Sequence, residues 1–364
     1  MCQTNIKSAK IEQVPLNKGK DGEEKVEIVW RNVFLIGYIH VAGIYGLYLS
    51  LAGHIYLKTF IFQVLLTYLT TFGVTLGTHR LWAHKCYKAS LPLRVLLMVI
   101  QTAACQNSIH EWCRDHRVHH KFTETNADPH NAKRGFFFAH VGWLLCKKHD
   151  DVKTKGKTVY MADLESDPVV MFQKKYFVPL TTVACFLIPW FVPVIFWGED
   201  VLRSWHVSMM RYIIILNVTW CVNSVAHIWG DKPYDKNINP VENKFVAVMT
   251  SGEGWHNYHH TFPWDYKAAE LPSYGANMSA VLIDLFAKIG WAYELKTVPE
   301  KMIQARVART GDGSHSKYGI SDTIGEKKEQ ENMEVFHSWG WDDKDMNKEE
   351  REVAVILKQG KGDE

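Results

Sequence analysis

The chain has 364 residues, 42 of them Lys or Arg and 39 Asp or Glu, for a formal net charge of +3. A balance this close leaves no basic footprint for nucleic acid, and seven cysteines without paired spacing give no disulfide framework. The 47% hydrophobic content is gathered into long, almost uncharged runs, which excludes an ordinary pair of soluble domains.

In chain order, residues 1–28 are polar, lack apolar periodicity and are expected to form a disordered cytosolic N-terminus. Two apolar runs follow, "NVFLIGYIHVAGIYGLYLSLAG" (32–53) and "TFIFQVLLTYLTTFGVTLG" (59–77). Each approaches the roughly 20 residues that an α-helix needs to cross a bilayer. The first run follows a polar stretch with no small-residue cleavage site, so it reads as a retained anchor. "LPLRVLLMVIQTAACQ" (91–106) is shorter and carries Arg94, which suits an interfacial or buried helix. Two further spans are expected at about 177–197 and 210–230. The predicted fold is an all-α integral membrane protein, four spans capped by a cytosolic helical region, with residues 29–311 as one unit and 312–364 as a loosely ordered polar tail. Lys and Arg concentrate in 78–176 and at both ends, so the positive-inside rule places these in the cytosol and leaves only the loops 54–58 and 198–211 on the far side.

The cytosolic pieces carry the chemistry. "RDHRVHHKF" holds His116, His119 and His120, and "GEGWHNYHH" holds His256, His259 and His260. Both triplets are spaced i, i+3, i+4, so on a helix each shares a face and can aim its rings at a common point. "HRLWAH" adds His79 and His84, whose i, i+5 spacing suits a helix end where the backbone bends. His227 lies near the end of the last span, with Asn223 one turn earlier, a polar pair inside an apolar helix. So many imidazoles exceed a tetrahedral zinc site and suit two ions, each with four or five nitrogen ligands. Imidazole accepts zinc, copper, iron and nickel, so the donor set leaves the metal open. His40, His54, His110, His130, His140, His149 and His206 read as ordinary hydrogen-bonded residues. Trp82, Trp112 and Trp255 suit either the wall of a dry site or interfacial anchors.

"HRLWAH", "HRVHH" and "HNYHH" together resemble the histidine boxes of membrane-bound acyl-CoA desaturases of the stearoyl-CoA type. "EWCRDHRVHHKFTETNADPHNAKRGFFFAHVGWLL" and "GEGWHNYHHTFPWDY" extend the resemblance over about residues 28–311, and to the insect branch in particular. The resemblance implies an endoplasmic reticulum enzyme with two iron ions, using O2 and electrons passed from NADH through a reductase and cytochrome b5. It implies His79, His84, His116, His119, His120, His227, His256, His259 and His260 as metal ligands, with Asn223 acting through water. It also implies Asn32, Arg114, Asp115, Lys147 and Lys148 at the CoA head, and Asn107 and Trp220 along the acyl channel. Lysine at 147, where some relatives carry arginine, keeps the charge and loses bidentate geometry.

The chemistry agrees with such a site. Breaking two unactivated C–H bonds is beyond acid or base side chains, so a metal centre must supply the reactivity in a dry pocket. "INPVEN" (238–243) resembles a signature of insect Δ9 enzymes, which makes a cis Δ9 double bond in palmitoyl- or stearoyl-CoA the expected product. Desaturation at Δ11 or elsewhere is the nearest alternative. A hydroxylase sharing the metal chemistry and a non-catalytic metal transporter are the competing classes.

Overall fold

The structure, a computed structural model, describes residues 26–270, 276–319 and 337–357. Residues 1–25, most of the stretch expected to be disordered, lie outside the described residues, as do 320–336 and 358–364 of the expected tail.

Chain order runs through helices α1 (Trp30–Leu51), α2 (Leu57–Ala83), α3 (Leu91–Ala104), α4 (Ile109–Lys121), α5 (Phe177–Trp197) and α6 (Val201–Ile228). Four of these, α1, α2, α5 and α6, are long and apolar enough to cross a membrane. Their outward faces present Phe34, Val41, Leu51, Leu65, Val178, Ile195 and Phe196, all exposed, as a lipid-facing surface would. The shorter α3 buries Leu93 and Leu97 against the end of α2.

Helix α6 begins at Val201, nine residues before the expected start at 210, so the loop expected over 198–211 shrinks to 198–200. The cause is a local cap, because the Asp200 carboxylate accepts from the amides of Leu202 (3.1 Å) and Arg203 (2.9 Å). At the same end of the bundle, buried Glu199 accepts from Thr59 Oγ1 at 2.6 Å and from the Tyr56 amide at 2.9 Å, pinning the start of α2.

Helix α1 lies against α6 through small residues. Ala42, Gly43 and Gly46 are buried on the shared face, and a Cβ added at Gly46 would stand 2.0 Å from the His206 carbonyl oxygen.

The last part of α2, Gly73–Ala83, winds as a π-helix. Beyond the bundle, helices α7 (His256–Thr261) and α8 (Met278–Lys288) join α4 in a cap. Two short antiparallel pairs brace it: β1 (Lys88–Ala89) with β2 (Ala292–Tyr293), and β3 (Leu295–Thr297) with β4 (Val355–Leu357). Leu76, Trp82, Leu97, Ile109, Cys113, Ile283 and Leu295 fill the space between cap and bundle. Trp82 is therefore core packing, its indole N–H donating to Asp167 at 3.1 Å, and not an interfacial anchor.

The described tail departs from expectation. Residues 337–357 pack onto the cap, with Trp339, Asp343 and Met346 buried and β4 paired to β3. Buried aromatic area and a strand partner supply the order that charge-rich composition alone would not suggest.

Replacing Gly46 with Leu is expected to destabilise the bundle by at least about 1–3 kcal/mol, because the new side chain meets main chain that cannot step aside. Thermal melting of purified protein in detergent, followed by size-exclusion fluorescence, checks it against Gly37→Leu, where a Cβ meets nothing within 4 Å.

Candidate metal centre

Four elements converge at the junction of bundle and cap. The end of α2 brings His79 and His84, α4 brings His116, His119 and His120, the end of α6 brings His227, and α7 brings His256, His259 and His260. Their ring nitrogens form two groups, each within 4.8 Å: His79, His84, His116, His120 and His259 in one, His119, His227, His256 and His260 in the other.

The π-helix explains the odd spacing of the first pair. An i→i+5 winding returns residue i+5 to the same face, and the His84 amide donates to the His79 carbonyl at 3.1 Å. The two ring centroids end 4.7 Å apart. The expected bend at a helix end is thus a regular π-turn.

The two triplets also behave differently from expectation. Neither converges on one point; each is divided between the groups. On α4, His116 and His120 take one group and His119 the other; on α7, His256 and His260 stay together and His259 crosses over. An i, i+4 pair stays aligned, while the third ring projects to the other side of the face. Each helix therefore ties both groups together, and the His120 and His260 rings stack across the divide at 4.0 Å.

Carboxylates and a carbonyl lie at the outer edges of four of the rings. His79 Nδ1 lies 2.8 Å from Glu253 Oε2, His119 Nδ1 2.9 Å from Asp128, and His227 Nδ1 2.9 Å from Glu124. His84 Nδ1 donates to the Trp339 carbonyl. Arg80 grips the other oxygen of Glu253 at 2.7 and 3.1 Å. Burial raises the Glu253 carboxyl, but Arg80 and His79 overcome that and leave it at about 2. Burial likewise raises Asp128, and the His119 and His130 rings with the Glu124 amide bring it below the ordinary carboxylate range.

The inner edges face one another. His259 Nε2 lies 3.0 Å from His79 Nε2 and 3.1 Å from His120 Nε2, while His256 Nε2 lies 3.1 Å from His227 Nε2 and 3.2 Å from His260 Nε2. A ring nitrogen carries one proton or one lone pair, so it cannot satisfy two such neighbours. A cation that accepts several lone pairs at once can. Burial, reinforced by the neighbouring rings, holds His84, His116, His120, His256, His259 and His260 well below the ordinary imidazole value. They are neutral at physiological pH, the state in which imidazole donates to a metal. The donor set fits two metal ions.

A cavity of about 650 Å³ reaches this site from the cap surface. Arg31, Asn32 and Asp115 line it together with Trp112 and His116 and, from the spans, Phe186, Leu216 and Trp220. Asn107 and Asn223 also line it. Asn223 further borders a void of about 50 Å³ that touches His79, His116 and His256. Asn32 is fixed by donating to the Leu144 carbonyl at 2.8 Å, and Asn107 sits at φ 68° in the turn after α3. Trp220 is buried, stacked on His40 with ring centroids 6.0 Å apart. Asp115 is held by Arg114 at 3.0 Å and by Lys148. Lys147 parts from this set: it is exposed and pairs with Glu27, so the two lysines do not act as one cluster.

Sequence reasoning missed Glu124, Asp128, Glu253, Arg80 and Trp339. The carboxylates lie a few residues from the histidine motifs, in "TETNAD" and "GEGWH", where a buried imidazole's need for an acceptor is the usable signal. His130, read as ordinary, lies with His119 and Asp128 in a third close group.

Four apolar helices beneath a cap that gathers nine imidazoles define an integral membrane protein with a paired histidine framework able to hold metal. The model of the fatty acid desaturase family matches residues 56–288, and the chain belongs to that family. It is 57% identical to the acyl-CoA Delta-9 desaturase of Acheta domesticus, over 92% of this chain and 87% of that protein. It is 53% identical to the acyl-CoA Delta12-desaturase of the same species, over 93% and 90%. It is 48% identical to the stearoyl-CoA desaturase of Homo sapiens, over 83% and 84%.

Replacing Asp128 with Ala strands the buried Nδ1 of His119 and is expected to lower metal affinity about 10–100-fold. Metal content after dialysis against a graded chelator reads the change, and retention equal to wild type would count against the support role.

Proposed function

We propose that the chain is an acyl-CoA desaturase whose nine histidines hold two iron ions, five on one and four on the other. Bound there, the irons supply O2 activation, the reactivity needed to remove two hydrogens from adjacent methylenes. The protein contributes placement, dryness and charge. One observation carries the reading: the 650 Å³ cavity joins Asn32, Asn107, Asp115 and Trp220 to the edge of the histidine cluster at His116.

In this reading the anionic CoA head lies at the mouth, near Arg31, Arg114, Lys148 and Asn32, with Asp115 orienting the two basic partners. The acyl tail runs past Trp112, whose indole stacks on the His116 ring at 4.6 Å, and continues between the spans. Leu35, Ile36, Ile39 and Leu216 keep that path apolar, which excludes water from the reacting carbons. Trp220 closes the far end, so its bulk sets which methylenes stop beside the site. Asn223 stands between cavity and void, positioned to hold a water near the metals. Electrons arrive from cytochrome b5 at the cap, and the protein resides in the endoplasmic reticulum with cap and both termini cytosolic.

We place the double bond at Δ9 on the resemblance of "INPVEN" (238–243) to the Δ9 signature. These residues do not line the long cavity. Asn239 and Pro240 border a separate pocket of about 160 Å³ with Glu124 and His260. The signature therefore acts at a distance from the acyl path, and Δ11 or Δ12 products are the competing outcomes.

Fatty-acid analysis of a desaturase-deficient yeast expressing the chain, with double bonds located by mass spectrometry, tests the reaction and its position together. A hydroxylated or unchanged fatty-acid pool would overturn the desaturase reading. His119→Ala and His259→Ala are expected to abolish product and lower bound iron, one from each group. His149→Ala, on a ring that serves the Asp151 amide, should keep both. Trp220→Ala is expected to shift chain-length preference or double-bond position at near wild-type iron. Simple loss of core packing, worth about 3–5 kcal/mol, would reduce folded protein and leave turnover per iron and products unchanged.

A further inference from the structure

We infer that residues 337–346 are a working part of the metal site, a strap whose Trp339 carbonyl orients His84 from outside the family domain. The inference rests on the two-iron reading proposed above.

The matched family region ends at residue 288, yet His84 draws both of its outer contacts from beyond it. Its Nδ1 donates to the Trp339 carbonyl, and its own carbonyl accepts from the Trp341 amide at 3.1 Å. The first contact commits the ring proton to Nδ1, which leaves the Nε2 lone pair facing His116 Nε2 at 2.8 Å. His119 and His227 obtain the same service from carboxylates within residues 56–288, and His79 Nδ1 lies in contact with a third, Glu253.

Between the two contacts lies Gly340 at φ 153°, pressed onto His84. A Cβ there would stand 2.5 Å from the His84 carbonyl oxygen and 2.8 Å from its Cα. Nothing larger than glycine fits without moving the strap or His84.

The strap is also anchored to the neighbours of the other rings. Asp343 accepts from the Trp339 amide at 2.9 Å and pairs with Lys121 at 3.0 Å, directly after His120. Asp345 pairs with the same lysine at 2.5 Å, and Asp342 pairs with Lys85, directly after His84. The Arg117 guanidinium lies 4.0 Å from the Trp339 ring while it donates to the Trp82 carbonyl at 2.7 Å and the Ala83 carbonyl at 3.0 Å. Partly exposed ion pairs contribute little alone. Here they fix the register of a buried tryptophan whose carbonyl must meet one imidazole.

The test uses full-length protein in detergent, counts iron per chain and follows its release to a ferrous chelator. Gly340→Ala is expected to release iron about 10–100-fold more readily, one ion before the other, with the Mössbauer signal of the five-histidine group lost first. Acyl-CoA binding by the metal-free variant should match wild type, since the cavity does not include the strap. Asp343→Ala, which only removes atoms, should show a smaller loss. Asp343→Asn, which keeps an acceptor for the Trp339 amide, should recover part of it. Iron retention equal to wild type in Gly340→Ala overturns the proposal; should that variant not accumulate, the same result in Asp343→Ala does so. Wild-type protein without iron would sink the two-iron reading beneath it, whereas iron-loaded wild type with equally retentive variants sinks the strap alone.

Discussion

Everything at the junction of bundle and cap follows from one constraint: neutral imidazoles are buried with their Nε2 edges facing each other. Unpaired polar atoms in a dry interior cost free energy, and here the inner edges are crowded beyond what hydrogen bonding among themselves can settle. Cations at the two foci would remove that conflict. The outer edges of His79, His119 and His227 then need acceptors, which explains why Glu253, Asp128 and Glu124 are buried at all. Their negative charge also offsets the positive charge of bound metal in a low-dielectric setting.

The same constraint dictates local backbone. A straight α-helix would not bring His79 and His84 to one face, and the π-turns that end α2 do so. Lys85, Glu124 and Ser251 hold positive φ values of 58°, 57° and 61°, each within a few residues of a site group. Cys105 and Asn107, at 50° and 68°, lie at the turn beside the 650 Å³ cavity. Such residues cost of order 1–3 kcal/mol each and persist where the surroundings over-determine them. Their position beside the site groups marks where the packing of cap and bundle overrides local backbone preference.

Much of this was legible in the sequence, for reasons particular to each element. The spans announce themselves because lipid demands long uncharged runs, and the histidines because their spacing has no other economical use. Ligand membership was not legible. Which ring of His116, His119 and His120 faces which group depends on how α4 is rotated against α7, a tertiary fact with no trace in spacing. The start of α6 was missed because Arg203 and Arg211 look like loop residues. In the folded chain Asp200 caps the helix ahead of Arg203, and the buried Arg211 guanidinium donates to the Cys185 carbonyl at 2.9 Å. The packed tail was missed because composition reports charge, and what orders residues 337–357 is a tryptophan, a glycine and a strand partner.

The arrangement also explains why relatives so similar can carry names for different positions of desaturation. The histidine groups are shared between four elements and leave little freedom, since moving α4 or α7 disturbs both foci. The cavity is different. One side of it is α4, which brings Trp112, Asp115 and His116, but the other walls come from α1, α5, α6 and the turn after α3, elements that contribute at most one ring to the site. Ile39, Phe186, Leu216 and Trp220 line those walls, and none of them belongs to the clustered imidazole groups. A near-attack geometry is sensitive to shifts far smaller than one methylene, so modest changes in those walls suffice to choose another carbon. On the proposed acyl path, rigid chemistry is separated from an adjustable ruler, and the boundary between them runs through Trp112, Asn223 and the His116 ring.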